Sequence, residues 1–230
     1  LAGGAGNDTM IFFTADSLIS SSIHGGSGAD SLVFSAAVQS DTTVRGAMGN
    51  DSIHFVSSAA GITFDAGGGN DIITFAGLVT NSVISFSTDA MISAPGTITG
   101  STIAGSLGAD LLTFVGSTSG NNVFSLDAGA DALTISGSTI GGGTIAGGSG
   151  ADTMLFTAAT IGSAGNISIF AGEGADSIYF GSGAKIQSTA TTAYVWDNPG
   201  DDTITFAQGL TQFMGGTTSN LYVGVSVGNG

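Results

Sequence analysis

One tripeptide pattern constrains this chain more than any other: Gly-x-Asp returns nine times, with Asp at positions 8, 30, 51, 71, 110, 131, 152, 176 and 202. The intervals are 22, 21, 20, 39, 21, 21, 24 and 26 residues, and the 39 is close to two periods. Columns around each Asp repeat with it. Two residues before stands Gly in all nine copies, and two residues after stands an aliphatic residue or Met. Four after is Phe in eight of nine, with Ile135 the exception; seven before is always apolar, from Leu1 and Ile23 to Ile169 and Val195. Self-similarity at a fixed period of about 21 residues is the mark of a stacked repeat in which each unit completes its core only against its neighbours.

The alternation of positions +2 and +4 with +1 and +3 makes the segment after each Asp a β-strand with one buried face. The preceding Gly supplies the tight turn. Apolar residues in the variable arc (Leu18, Val38, Val79, Ile140, Ile161, Ile186) predict a second short strand closing each coil. No 3.6-residue period is present. The fold class is therefore all-β: one parallel β-solenoid over residues 1–230, with a Phe and aliphatic ladder as core and one Asp/Gly loop per coil. Stacked at roughly 4.8 Å, the coils would form a rod.

Eleven coils are expected, two of them worn. One lies in 76–102, where Ile84 would fill the leading apolar slot, Asp89 would be a displaced Asp, and Met91 would stand two residues on. The other lies in 207–230, where Phe213, Gly215, Gly216, Asn220 and Tyr222 fit the columns, with Asn in place of Asp. Because the chain opens inside a motif at Leu1, it reads as a piece of a longer one.

In-register stacking sets successive carboxylates about one strand spacing apart. Two bare charges at ~5 Å repel by roughly 3 kcal/mol at an effective dielectric of about 20. Protonation would relieve this, and so would cations held between turns. Carboxylates joined by loop carbonyls make a hard, oxygen-only, flexible cage, which suits Ca²⁺ better than Mg²⁺ and much better than Zn²⁺. The bland alternative is turn chemistry, which favours Asp in any case; the register and the Gly at −2 favour metal.

The quoted loops also carry a resemblance. GGAGNDTMI (3–11), GGSGADSLV (25–33) and GGSGADTML (147–155) are similar to the calcium-binding nonapeptide GGxGxDxUx of RTX proteins. Weaker copies are GAMGNDSIH (46–54), AGGGNDIIT (66–74), GSLGADLLT (105–113), AGEGADSIY (171–179) and DNPGDDTIT (197–205), while LDAGADALT (126–134) keeps only the later half. The resemblance implies a right-handed β-roll, secreted by bacteria through a type I route, that folds when extracellular Ca²⁺ binds between turns. Its implied ligands are the carboxylates of Asp8, Asp30, Asp51, Asp71, Asp110, Asp131, Asp152, Asp176 and Asp202. With them come carbonyls of Gly4, Gly6, Gly26, Gly28, Gly49, Gly67, Gly69, Gly108, Gly129, Gly148, Gly150, Gly172, Gly174 and Gly200. The family's roll carries two nonapeptides per coil and a period of 18; with one nonapeptide per ~21 residues, one file of metal along a single edge is expected here. Asp127, Glu173, Asp197 and Asp201 could compensate for missing loop glycines, and the loop at Asp89 is too short to bind.

Composition narrows the function. A net charge of −15, with Arg45 and Lys185 the only Lys or Arg, argues against nucleic acid or an anionic membrane surface as partner. No apolar run reaches 18 residues, so no inserted helix is expected. The chain has no Cys, hence neither disulfides nor thiolate metal sites. Acids that repeat evenly rather than converge, beside two isolated histidines (His24, His54), assemble no catalytic cluster, and no enzyme activity is expected. A Thr-x-Thr ice face is interrupted at Ile11, Val33, His54, Leu155 and Tyr179 and is set aside. Apolar residues at outward positions (Ile11, Val33, Ile72, Leu111, Leu155, Tyr179) point to cover by the variable arc or to lateral contact between solenoids. The expectation is a secreted, calcium-stabilised structural segment of a bacterial cell-surface protein of the S-layer kind, with self-association as its partner chemistry. The alternative is an RTX adhesin arm or the calcium module of a secreted toxin or enzyme.

Overall fold

In the computed structural model every element is a β-strand, and the strands stack in parallel as coils of one solenoid. The structure describes residues 1–13, 17–163, 165–188, 192–196, 198, 200–207, 213–215 and 220–224. Among them no helix is long and apolar enough to cross a membrane.

The strands following the Asp column form a ten-stranded parallel sheet, from Thr9–Phe12 to Thr203–Phe206. Its inward +2 positions form one unbroken aliphatic ladder, Met10, Leu32, Ile53, Ile73, Ile92, Leu112, Leu133, Met154, Ile178 and Ile204, each paired with the next. The +4 phenylalanines stack face to face: ring centroids are 4.8 Å apart for Phe12 and Phe34, 4.7 Å for Phe34 and Phe55, and 4.8 Å for Phe55 and Phe75. Offset aromatic pairs at this separation add to the burial term that dominates core stability.

The strand before each loop supplies the facing column, in which Ile23, Val44, Phe64, Ile84, Ile103, Phe124, Ile145, Ile169 and Val195 run in register. The short closing strand exists too: Leu18, Val38, Ala59, Val79, Ile98, Thr118, Ile140, Ile161 and Ile186 pair coil to coil. The core between these columns is continuous and apolar. At the corner after the closing strand, buried hydroxyls and an amide are satisfied from coil to coil: Ser82 Oγ accepts from the Ile62 amide, Ser101 Oγ from Ser82, and Asn122 Oδ1 from Ser101.

Three expectations need correction. Ten stacked strands make about nine turns rather than eleven coils. In the fifth coil the Asp column is filled by Ala90, which pairs with Asp71; Asp89 sits one place earlier, and Ile92, not Met91, continues the +2 ladder. One residue has been lost between Ile84 and this column, so the sequence spacing misplaced both. At the far end, Asn220 pairs with Thr192 and Val223 with Val195. The strand Asn220–Gly224 therefore belongs to the facing column, and Asn220 is not an Asp equivalent. Phe213 likewise pairs with Ile186 of the closing strand. Gly215 pairs with Ser188 and Tyr222 with Tyr194, while Gly216 lies outside the described residues.

Candidate metal centre

Each loop runs from the facing strand to the Asp, and in the most regular loops the glycines at −4 and −2 are held at positive φ. Gly26 and Gly28 have φ of 123° and 122°, where a side chain would be strained. The requirement survives loss of glycine: Ala47 (φ 88°) and Asp127 (φ 69°) also take positive φ at the −4 place of their loops. Close stacking demands the same residue. A Cβ on Gly28 would collide with the Gly6 carbonyl oxygen, one on Gly150 with that of Gly129, and one on Gly174 with that of Gly150. The −4 and −2 carbonyls expected as ligands thus lie in the gap between successive loops, each against the glycine of the next coil.

The aspartates point inward and are buried; Asp30, Asp51, Asp71, Asp110, Asp131, Asp152 and Asp176 are at most 3% exposed. One oxygen of each ties two coils together. Asp30 Oδ1 accepts the Asp8 amide at 2.8 Å, Asp51 Oδ1 that of Asp30 at 2.8 Å, and Asp71 Oδ1 that of Asp51 at 2.9 Å. After the interruption, Asp110 accepts from Ala90 at 2.9 Å, and the chain of bonds continues through Asp131, Asp152, Asp176 and Asp202.

The other oxygen is different. Oδ2 of Asp8, Asp30, Asp51, Asp71, Asp131, Asp152, Asp176 and Asp202 is buried without a hydrogen-bond partner. Native structures leave few such atoms unpaired, and a charged one is costly. Eight in two aligned runs require compensation. Around several of them the first glycine of the nonapeptide is absent of side chain for a visible reason. A Cβ on Gly25 would collide with Asp30 Oδ2 and stand 2.6 Å from the Gly46 carbonyl oxygen; one on Gly147 would meet Asp152 Oδ2 at 2.6 Å and collide with the Ala171 carbonyl. Each such cradle joins a carboxylate oxygen to a carbonyl of the next coil. These −5 glycines (Gly3, Gly25, Gly46, Gly147) were not among the expected ligand positions, although the doubled glycine of the strongest motifs was their signal.

Burial acts on the acid chemistry as it should. Desolvation pushes the carboxyls of Asp51, Asp110, Asp152 and Asp176 above the usual range, that of Asp71 up to about 6 and that of Asp131 up to about 7, with neighbouring carboxylates adding to the rise. The expected repulsion is therefore present in the fold. Among the described residues no three His, Asp or Glu side chains converge, so a cation on this edge would be held by one or two carboxylates with backbone oxygens. That donor set is all oxygen, as Ca²⁺ requires, and the unpartnered Oδ2 atoms fit a cation.

Two loops depart from the pattern. In coil five the Thr88 hydroxyl donates to the Gly69 carbonyl and accepts from the Gly69 amide, both at 2.7 Å, closing the shortened loop. In coil six Ser106 stands at the −4 place without a positive φ. Its amide and hydroxyl donate to Asp110 Oδ2 at 2.9 and 3.1 Å, so this carboxylate alone of the nine is fully satisfied.

A family model described as the RTX calcium-binding nonapeptide repeat (4 copies) matches two segments of the chain, residues 1–11 and 161–184. Among solved structures, a hyperactive, Ca²⁺-dependent, β-helical antifreeze protein from an Antarctic bacterium matches 98% of this chain and 67% of its own, at 20% identity and a TM-score of 0.54. At that identity the likeness establishes the fold alone. No curated protein matches significantly. The chain is a parallel β-solenoid, and two of its segments match the RTX calcium-binding nonapeptide repeat.

Proposed function

We propose that this solenoid is a structural, secreted segment of a bacterial surface protein that becomes stable when extracellular Ca²⁺ binds along its loop edge. The observation that carries the reading is the buried, unpartnered Oδ2 repeated in eight coils. These carboxylates, with the −5, −4 and −2 carbonyls of adjoining loops, are the residues that would hold the ions. Bound calcium supplies positive charge and a centre for six to eight oxygen ligands. The chain's own part is to present one carboxylate oxygen per coil, fix it through the bond at Oδ1, and exclude water by stacking. A cytoplasm poor in calcium leaves the chain self-repelling and fit for export; the exterior favours the fold, because binding free energy becomes folding free energy.

The surface role is supported by the scarcity of Lys and Arg, the absence of Cys and the lack of a converging catalytic cluster. It is also supported by apolar side chains on the outer face of the ten-stranded sheet, where Ile11, Ile72, Met91, Leu111 and Tyr179 are exposed and offer lateral contact. Titrating Ca²⁺ into EGTA-treated chain while following circular dichroism tests the folding claim: the β signal or its melting temperature should rise with calcium. A full signal without calcium, together with a melting temperature that calcium leaves unmoved, would defeat the proposal. Ordered, calcium-dependent assembly of the full-length protein is the expected result for the surface role, and a monomer under all conditions would refute it.

A further inference from the structure

Resting on the calcium reading above, we infer that the cation edge is divided into two separate files of four coils by a central waist, coils five and six, that holds no cation. The first file comprises Asp8, Asp30, Asp51 and Asp71; the second comprises Asp131, Asp152, Asp176 and Asp202. All eight keep a buried Oδ2 with no partner. Between them the column is filled first by Ala90, which has no ligand to offer. It is filled next by Asp110, whose two oxygens are spent: Oδ1 accepts the Ala90 amide, and Oδ2 accepts the Ser106 amide and hydroxyl. The Ser106 hydroxyl accepts in turn from the Gly108 amide at 3.1 Å, so the loop interior is closed by its own hydrogen bonds.

The waist breaks a second ladder at the same place. Face-to-face phenylalanine stacking runs from Phe12 to Phe75, and again from Phe156 through Phe180 to Phe206. In between, Ala94 takes the +4 place of coil five, and Phe114 meets Phe124 edge-on rather than a stacked neighbour. Coils five and six thus lack the stacked rings of their neighbours, and their carboxylates act as hydrogen-bond clasps, Asp89 accepting the Ala109 amide and Asp110 the Ala90 amide, while Asp131 of the next coil accepts the Asp110 amide. Ser106 is the residue that excludes the ion: with a side chain and an ordinary φ at −4, its amide turns onto the carboxylate that other loops leave open.

The number of Ca²⁺ ions bound per chain, measured by equilibrium dialysis, tests this directly. Asp110→Asn should bind as many ions as the unaltered chain, whereas Asp131→Asn should bind at least one fewer. Ser106→Gly, which frees Asp110 Oδ2 and restores the −4 glycine, should bind one more; this variant keeps the test open should Asp110→Asn fail to fold. Loss of an ion in Asp110→Asn equal to that in Asp131→Asn, or an unchanged count in Ser106→Gly, overturns the waist. Absence of calcium binding in the unaltered chain would instead overturn the reading on which it rests.

Discussion

A buried carboxylate has two oxygens to satisfy, and in this chain the two have separate duties. Oδ1 is a structural clasp between coils; Oδ2, except in Asp110, is held back from every protein donor. The consequence is a residue that is costly without a cation and valuable with one. Asp152→Asn removes the charge and keeps the shape. Without calcium it should raise the melting temperature by about 2–4 °C, corresponding to about 1 kcal/mol for a chain of this size. With calcium it should lower it, because a ligand is gone; thermal unfolding in EGTA and in excess Ca²⁺ reads both signs. Glycine at the −2 place is the complementary case. Gly150→Ala must adopt φ near 131° and thrust a methyl group at the Gly129 carbonyl, so a loss of at least about 2 kcal/mol is expected by urea denaturation, with or without calcium. At this scale the sequence was readable wherever a column was full. Ser106 was not, because a serine in place of a glycine signals nothing until its amide is seen on Asp110.

Among the elements, the ladders carry the packing energy. Phe55 is stacked between Phe34 and Phe75 and touches the edge of Phe64, so Phe55→Ala should cost about 3–5 kcal/mol. Phe206 caps the last rung of its sheet and is 37% exposed, and the same change there should cost clearly less. Denaturant midpoints for the two variants measure the difference. Strand type, strand pairing and the inward face were all legible, since period-two alternation repeated nine times leaves one solution. What failed was register at the irregular coils. In coil five the interval from the facing column is one residue short, so that with Ile84 in register it is Ala90, not its neighbour Asp89, that falls in the Asp column. Near the end, Asn220 resembles an Asp by chemistry but follows a longer arc and pairs with Thr192. Spacing identifies a column only while coil length holds.

For the whole molecule, stacking multiplies one local penalty into a property of the fold. The carboxyls of Asp71 and Asp131 titrate near 6 and near 7 in the folded chain, with Asp51, Asp110, Asp152 and Asp176 also raised by burial. In the unfolded chain each would titrate near 3.9. Between those values the folded state holds protons that the unfolded state has released, so raising the pH favours unfolding. This stabilising protonation is fully present below about pH 4 and is lost as the pH climbs through 6 and 7. Calcium binding reverses the balance, because the ligand form is the carboxylate. The decisive measurement is thermal unfolding of the chain at pH 5 and pH 7.5, in EGTA and in excess Ca²⁺. A calcium-repaired carboxylate column predicts a lower melting temperature at pH 7.5 than at pH 5 in EGTA, and a calcium-induced rise that is larger at pH 7.5. A melting temperature in EGTA that is flat or increasing over this range, with no response to calcium, would contradict it.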